Sequence, residues 1–125
     1  MAGHRLQPPP GKRLHDPHVA VDLLREEFAF VDADADEGQD RVGDILTHLI
    51  RLDAPPEIID AVTAARESAI AVVVGDDANS GPSISFLLRS DEGPLIGYSS
   101  RSEEEAVQPL VERAARTLGY QAQLL

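Results

Sequence analysis

The sequence lacks several features on which common protein chemistries depend. It contains no cysteine, which excludes disulfides, thiolate nucleophiles, and zinc or iron–sulfur sites with cysteine ligands. It has no apolar run of about 18 residues, the length that spans a membrane. Charged residues and three prolines stand near its N-terminus, where a signal peptide needs an apolar core. We therefore expect a cytoplasmic protein that does not associate with membranes.

The sequence motifs of several large enzyme classes are also absent. There is no serine in Gly-x-Ser-x-Gly spacing, no histidine pair with metal-binding spacing on a helix, no P-loop and no dinucleotide-binding glycine pattern. We therefore predict a protein that has no catalytic activity and no cofactor.

Charge is abundant and mostly of one sign. The net charge is −11, and residues 1–18 carry Arg5, Lys12 and Arg13 against Asp16, so that the rest of the chain carries −13. Such a field repels nucleic acid and anionic membranes and favours basic partners. Solubility alone also explains a strongly acidic surface.

Three apolar runs between turn-rich segments predict a sheet. Residues 69–74 are rich in β-branched side chains, and residues 83–89 alternate apolar and polar side chains except at Leu87. Residues 95–99 follow a loop that contains glycine and proline, which suits a hairpin with the preceding run. We predict an α+β fold with one three-stranded antiparallel sheet, its strands adjacent in chain order.

Apolar residues at helical spacing predict about four helices, over residues 17–31, 40–52, 56–67 and 103–118. At the end of the first helix, residues 28–31 are also compatible with a strand. The second helix has the most regular apolar stripe, formed by Val42, Ile45, Leu46, Leu49 and Ile50.

The N-terminal segment has a different composition. Residues 1–14 are rich in proline and poor in sizeable apolar side chains, so that ordering them has little to offset its entropic cost. We predict a disordered tail over residues 1–14 and a single domain over residues 15–125.

An acidic segment contains the candidate metal ligands. The residues Asp32, Asp34 and Asp36, followed by Gly38, resemble the start of an EF-hand calcium loop, in which alternate carboxylates meet at one cation. The glycine arrives one position late, and the twelfth position is Gly43 where the EF-hand needs a glutamate. Because the bidentate glutamate is missing, we favour a solvated acidic loop that ends one helix and caps the next over a calcium site.

The order predicted between residues 56 and 120, helix, strand, strand, strand, helix, resembles the double-stranded-RNA-binding domain, including Gly97-Tyr-Ser-Ser before the last helix. That family holds phosphates with lysines at the start of its last helix. This chain has Glu103, Glu104 and Glu105 there, which reverses the charge that RNA requires. We therefore expect no nucleic-acid partner.

The first predicted strand suggests a mode of self-association. In the predicted order it lies at a sheet edge, yet it has no lysine, proline or inward charge to protect that edge. Either another part of the chain covers the strand, or a second chain pairs with it and buries Ala71 and Val73, giving a homodimer.

The function that these observations favour is a small, acidic, non-enzymatic interaction module that binds a protein partner or a second copy of itself. The alternative is a regulatory domain that binds a small molecule or calcium through residues 32–40 or through the loop at residues 75–82.

Overall fold

The computed structural model describes residues 2–98 and 100–125. They form the helices α1 (Pro17–Glu27), α2 (Ala35–Arg51), α3 (Pro56–Arg66) and α4 (Arg101–Leu118). They also form the strands β1 (Ala2–Gln7), β2 (Phe30–Asp34), β3 (Ile70–Gly75), β4 (Ser83–Leu88), β5 (Leu95–Tyr98) and β6 (Gln121–Leu124). The predicted α+β class with four helices is confirmed, although the strands form two sheets instead of one.

The first sheet has the order β2-β3-β4 and is antiparallel throughout. The predicted pairing of the first two apolar runs is confirmed, with Ile70 opposite Leu88 and Gly75 opposite Ser83. The prediction that β3 is an edge strand is wrong, because β2 pairs along its other side. A central strand with both faces covered explains why β3 is apolar on both faces.

Strand β2 occupies the end of the predicted first helix. Helix α1 begins as predicted, with Pro17 in its first turn and the Asp16 side chain accepting a hydrogen bond from the His18 amide. It ends at Glu27 instead of residue 31, and Phe28 has extended backbone angles. The aromatic and β-branched pair Phe30 and Val31 suits a strand better than a helix end.

The second sheet has the order β5-β1-β6 and places the predicted tail at its centre. Strand β1 is hydrogen-bonded to β5 on one side and to β6 on the other. Leu6 in β1 is fully buried. The structure therefore differs from the predicted disorder over residues 1–14, because pairing on both edges and burial of Leu6 compensate the cost of ordering that composition alone suggested.

The predicted hairpin between residues 83–89 and 95–99 is wrong. Strand β5 pairs with β1, with Gly97 opposite Gly3 and Leu95 opposite Arg5, and belongs to the second sheet. The last residue of the predicted strand, Ser99, lies outside the described residues. The strand order that resembled the double-stranded-RNA-binding domain is therefore not formed.

Helices cover the first sheet on both faces. The main core contains buried residues of α1 and α4, the inward residues of β1 and β5, and Ile70, Val72, Val74, Ile84, Phe86 and Leu88 from β3 and β4. A smaller cluster joins Val42 of α2, Val62 of α3 and Ala69, and Leu87 packs against it. Leu87 broke the alternation of its strand because the opposite face also carries helices. No helix in the described residues has the length and apolar character needed to cross a membrane.

Candidate functional site

The candidate metal ligands belong to two different elements. Asp32 and Asp34 lie in β2, opposite Val73 and Ala71, and Asp36 lies in the first turn of α2. The alternation that resembled an EF-hand loop is instead the alternation of a strand with one exposed face. Helix α2 consequently starts at Ala35, five residues before the predicted position.

The acidic side chains at this junction have local structural roles. Asp34 caps α2, since its carboxylate accepts a hydrogen bond of 2.9 Å from the Glu37 amide. Glu37 pairs with Arg41 one turn later, at 2.8 Å. In the part of the chain that the structure describes, no three histidine, aspartate or glutamate side chains are grouped to hold a metal ion.

The predicted interaction residues Ala71 and Val73 lie in the central strand of the first sheet. Ala71 is buried and Val73 is half-buried, and both stand opposite residues of β2. Both edges of β3 are hydrogen-bonded within the chain. Pairing of a second chain with this strand therefore has no open edge to use.

The second candidate loop, at residues 75–82, uses its aspartate internally. The Asp77 carboxylate accepts hydrogen bonds from the Asn79 amide at 2.8 Å and from the Ser80 hydroxyl at 3.2 Å. The hydrogen bond from the Asn79 backbone, followed by that from Ser80, lowers the pKa of Asp77. This is the geometry of a self-closed turn.

Three exposed apolar side chains lie close together where α2 turns into α3. Ile50 and Ile58 are 61% and 47% exposed, and Leu52, which caps α2, is 64% exposed. These three residues define the hairpin tip. Only Val42 of the predicted α2 stripe is fully buried, while Ile45, Leu46 and Leu49 are half-buried. Periodicity predicted the stripe but could not distinguish a face that is buried in the core from a face that is partly exposed.

Backbone hydrogen bonds fix the shape of the hairpin tip. The Asp53 amide donates to the Ile50 carbonyl at 3.1 Å, and the Ala54 amide donates to the Leu49 carbonyl at 3.0 Å. This is a Schellman motif, with Asp53 in the left-handed conformation at φ 56°. Pro55 and Pro56 then start α3. The turn holds Leu52 outside the helix, beside the ends of both helices.

The charge around the hairpin tip is acidic. From the start of α2 to the end of α3, seven aspartates and glutamates stand against three arginines. Asp53, Glu57 and Asp60 are exposed in the turn and the first turns of α3. The tip therefore combines exposed apolar side chains with an acidic rim, a combination that favours basic amphipathic ligands.

Comparison with known proteins identifies no relative. No protein-family model, curated protein or solved structure matches this chain.

Proposed function

We propose that the protein is a non-enzymatic interaction module and that the hairpin tip binds a basic, amphipathic segment of a protein partner. The observation that carries this proposal is the exposure of Ile50, Leu52 and Ile58 at the tip, where Asp53 and Glu57 are also exposed. An amphipathic helix can place its apolar side chains against these residues while its cations meet the acidic rim.

Charge decides between a foreign partner and a second copy at this surface. A second copy has the same net charge of −11, and two acidic hairpin tips repel each other at low salt. A basic segment is attracted by the same field, which also raises its rate of association. We therefore propose a different protein as the occupant of the hairpin tip. A nucleic-acid partner is disfavoured by the same field, and a cytoplasmic location stays a prediction.

Calcium regulation stays the alternative hypothesis. The division of Asp32, Asp34 and Asp36 between β2 and α2 does not favour it, since calcium requires several oxygens converging on one point.

The test uses two synthetic helical peptides with the same leucine stripe, one with arginines and one with glutamates on the polar face. Titration of each labelled peptide with the full chain is followed by fluorescence anisotropy. We expect saturable binding of the arginine peptide only. Leu52→Ser should weaken this binding about tenfold or more, because a leucine side chain loses its burial against the ligand.

Leu124→Ser is the matched control, because Leu124 is 67% exposed and lies in β6, away from the hairpin tip. It should leave the affinity unchanged. Equal binding of both peptides, or equal weakening by both substitutions, would contradict the proposal. Sedimentation completes the test: a wild-type dimer that Leu52→Ser dissociates would identify a second copy as the occupant and also contradict it.

A further inference from the structure

A pocket of about 340 Å³ opens between the two sheets. Its walls come from β1, α2, β4, β5 and the segment that connects β4 to β5. Its charged lining consists of the arginines Arg5, Arg41 and Arg89 and the carboxylates Asp44 and Glu92. Ile45, Leu87 and Leu95 contribute apolar side chains. We name this cavity the intersheet pocket. Its volume falls within the range of pockets that bind small molecules.

The intersheet pocket exists because β4 and β5 do not form the hairpin that their sequence suggests. Strand β4 is the edge of one sheet and β5 is the edge of the other. The chain crosses between the sheets at residues 89–94. The two edges therefore diverge, and side chains of α2 and β1 close the space beside them.

Two of the arginines are already held by a carboxylate. Glu92 bridges them, because one of its oxygens pairs with Arg5 and the other lies 3.0 Å from Arg89. Arg89 is also paired with Asp91 at 2.7 Å. The Glu92 side chain is 43% exposed, so that an incoming anion can compete with it for both guanidinium groups.

The third arginine is bound less firmly. Arg41 pairs with Glu37 on its own helix, and both side chains are about half exposed. Ion pairs of this kind contribute little to stability. Arg41 can therefore turn towards a ligand in the intersheet pocket at small cost, while Leu87 and Leu95 offer an apolar surface beside it.

We propose that the intersheet pocket binds a small organic anion. Its carboxylate or phosphate lies between Arg41 and the Arg5–Arg89 pair, and its apolar part contacts Ile45, Leu87 and Leu95. Three of the ten arginines of the chain line this pocket, against the two carboxylates Asp44 and Glu92. This local excess of guanidinium groups attracts an anion, although the overall field repels it. This proposal is independent of the function proposed for the hairpin tip.

The probe is sodium octanoate, compared with octanol, which has the same alkyl chain without the charge. Amide chemical shifts of the labelled full chain are recorded during each titration. Octanoate should shift the amides of Ile45, Leu87 and Leu95 in a saturable manner, and octanol should bind about tenfold more weakly or not at all. Equal affinities for the two compounds would overturn the proposal.

Two substitutions test the roles of the charged residues. Arg41→Gln should weaken octanoate binding about fivefold or more, whereas Arg51→Gln, which removes an exposed arginine from the same helix but away from the pocket, should leave it unchanged. Equal weakening by both would show a general charge effect and refute the site.

Glu92→Gln should tighten octanoate binding, because it removes the carboxylate that competes for Arg5 and Arg89. Thermal unfolding of each variant shows whether it remains folded. Weaker binding in a Glu92→Gln variant that unfolds at the wild-type temperature would count against the proposal. If this variant is destabilised, Arg41→Gln and Arg51→Gln decide the outcome.

Discussion

The glycines of α2 allow a test of how closely this helix approaches the first sheet. Gly38 is buried, and an added Cβ atom would lie 2.5 Å from the Ala69 carbonyl oxygen and 2.7 Å from the Ile70 Cα atom. Both are backbone atoms in or beside β3, the central strand. A methyl group at position 38 must therefore push the helix away from the sheet.

Helix propensity acts in the opposite direction. Alanine in a helix is about 1 kcal/mol more favourable than glycine. Overpacking against a fixed backbone costs about 1–3 kcal/mol, and contact with the central strand places Gly38→Ala in the upper part of this range. We expect a net loss of about 1–2 kcal/mol in the free energy of unfolding.

Gly43→Ala is the matched control in the same helix. Its added Cβ atom would meet the guanidinium end of Arg66 at 2.9 Å, which is exposed and can move. Arg66 donates a hydrogen bond from Nε to the Gln39 carbonyl at 3.0 Å, and this contact must adjust when the side chain moves. Gly43→Ala should therefore be neutral or stabilising by up to about 1 kcal/mol.

Urea denaturation followed by circular dichroism measures both variants against the wild type. A Gly38→Ala protein as stable as the wild type would refute the close approach of α2 to β3. Equal changes in both variants would mean that helix propensity alone determines the outcome.

Further predictions address the N-terminal strand, the tyrosines, the hairpin tip and calcium. Leu6→Ala should lower the free energy of unfolding in denaturant by about 2–5 kcal/mol, because Leu6 is fully buried. Leu124→Ala, at an exposed position, should lower it by less than about 0.5 kcal/mol. A loss below about 1 kcal/mol for Leu6→Ala would favour the predicted disorder of residues 1–14. Burial raises the pKa of both Tyr98 and Tyr120 above the ordinary value of 10.0. The stability that the neutral tyrosines contribute is therefore complete below pH 10 and is lost as the pH rises through the pKa values of the folded state. Tyrosinate absorbance that titrates identically in native and urea-unfolded protein would contradict this. Asp53→Gly should stabilise the chain by about 1 kcal/mol in thermal unfolding, since its left-handed conformation suits glycine, and a loss of stability would show that the aspartate side chain is needed. Millimolar calcium should leave the melting temperature unchanged at constant ionic strength, because the acidic candidates belong to a strand and a helix, and a saturable rise would contradict it.

Local sequence patterns predicted the elements whose partners lie nearby in the chain. The pairing of β3 with β4 and the position of α3 followed from alternation, helical periodicity and turn residues. Helix α4 was predicted to begin at residue 103, whereas it begins at Arg101, and Ser100 caps it by accepting a hydrogen bond from the Glu103 amide. This error is small because several residues near a helix start can act as its cap.

Sequence patterns failed where a partner from a distant part of the chain decided the structure. Composition suggested a tail at residues 1–14, but strand pairing with β5 and β6 cannot be recognised from composition. The same limit applies to the hairpin tip. The stripe of α2 has an ideal helical period. The period does not show whether Ile50 is buried or exposed, because burial depends on how far the sheet extends beneath the helix.

The polar residues that made β1 resemble a tail are the ones that attach it to the rest of the fold. Successive residues of a strand face opposite sides, and His4 and Arg5 use this alternation. The His4 ring nitrogen Nδ1 lies 2.6 Å from the Tyr98 hydroxyl in the buried interior, while Arg5 pairs with Glu92 in the part-buried crossing between the sheets. A buried ring nitrogen without a partner is costly, and pairing of β5 with β4 alone would not bring Tyr98 to His4. The side chains therefore favour β1 as the partner of β5, and this choice separates β5 from β4 and creates the intersheet pocket.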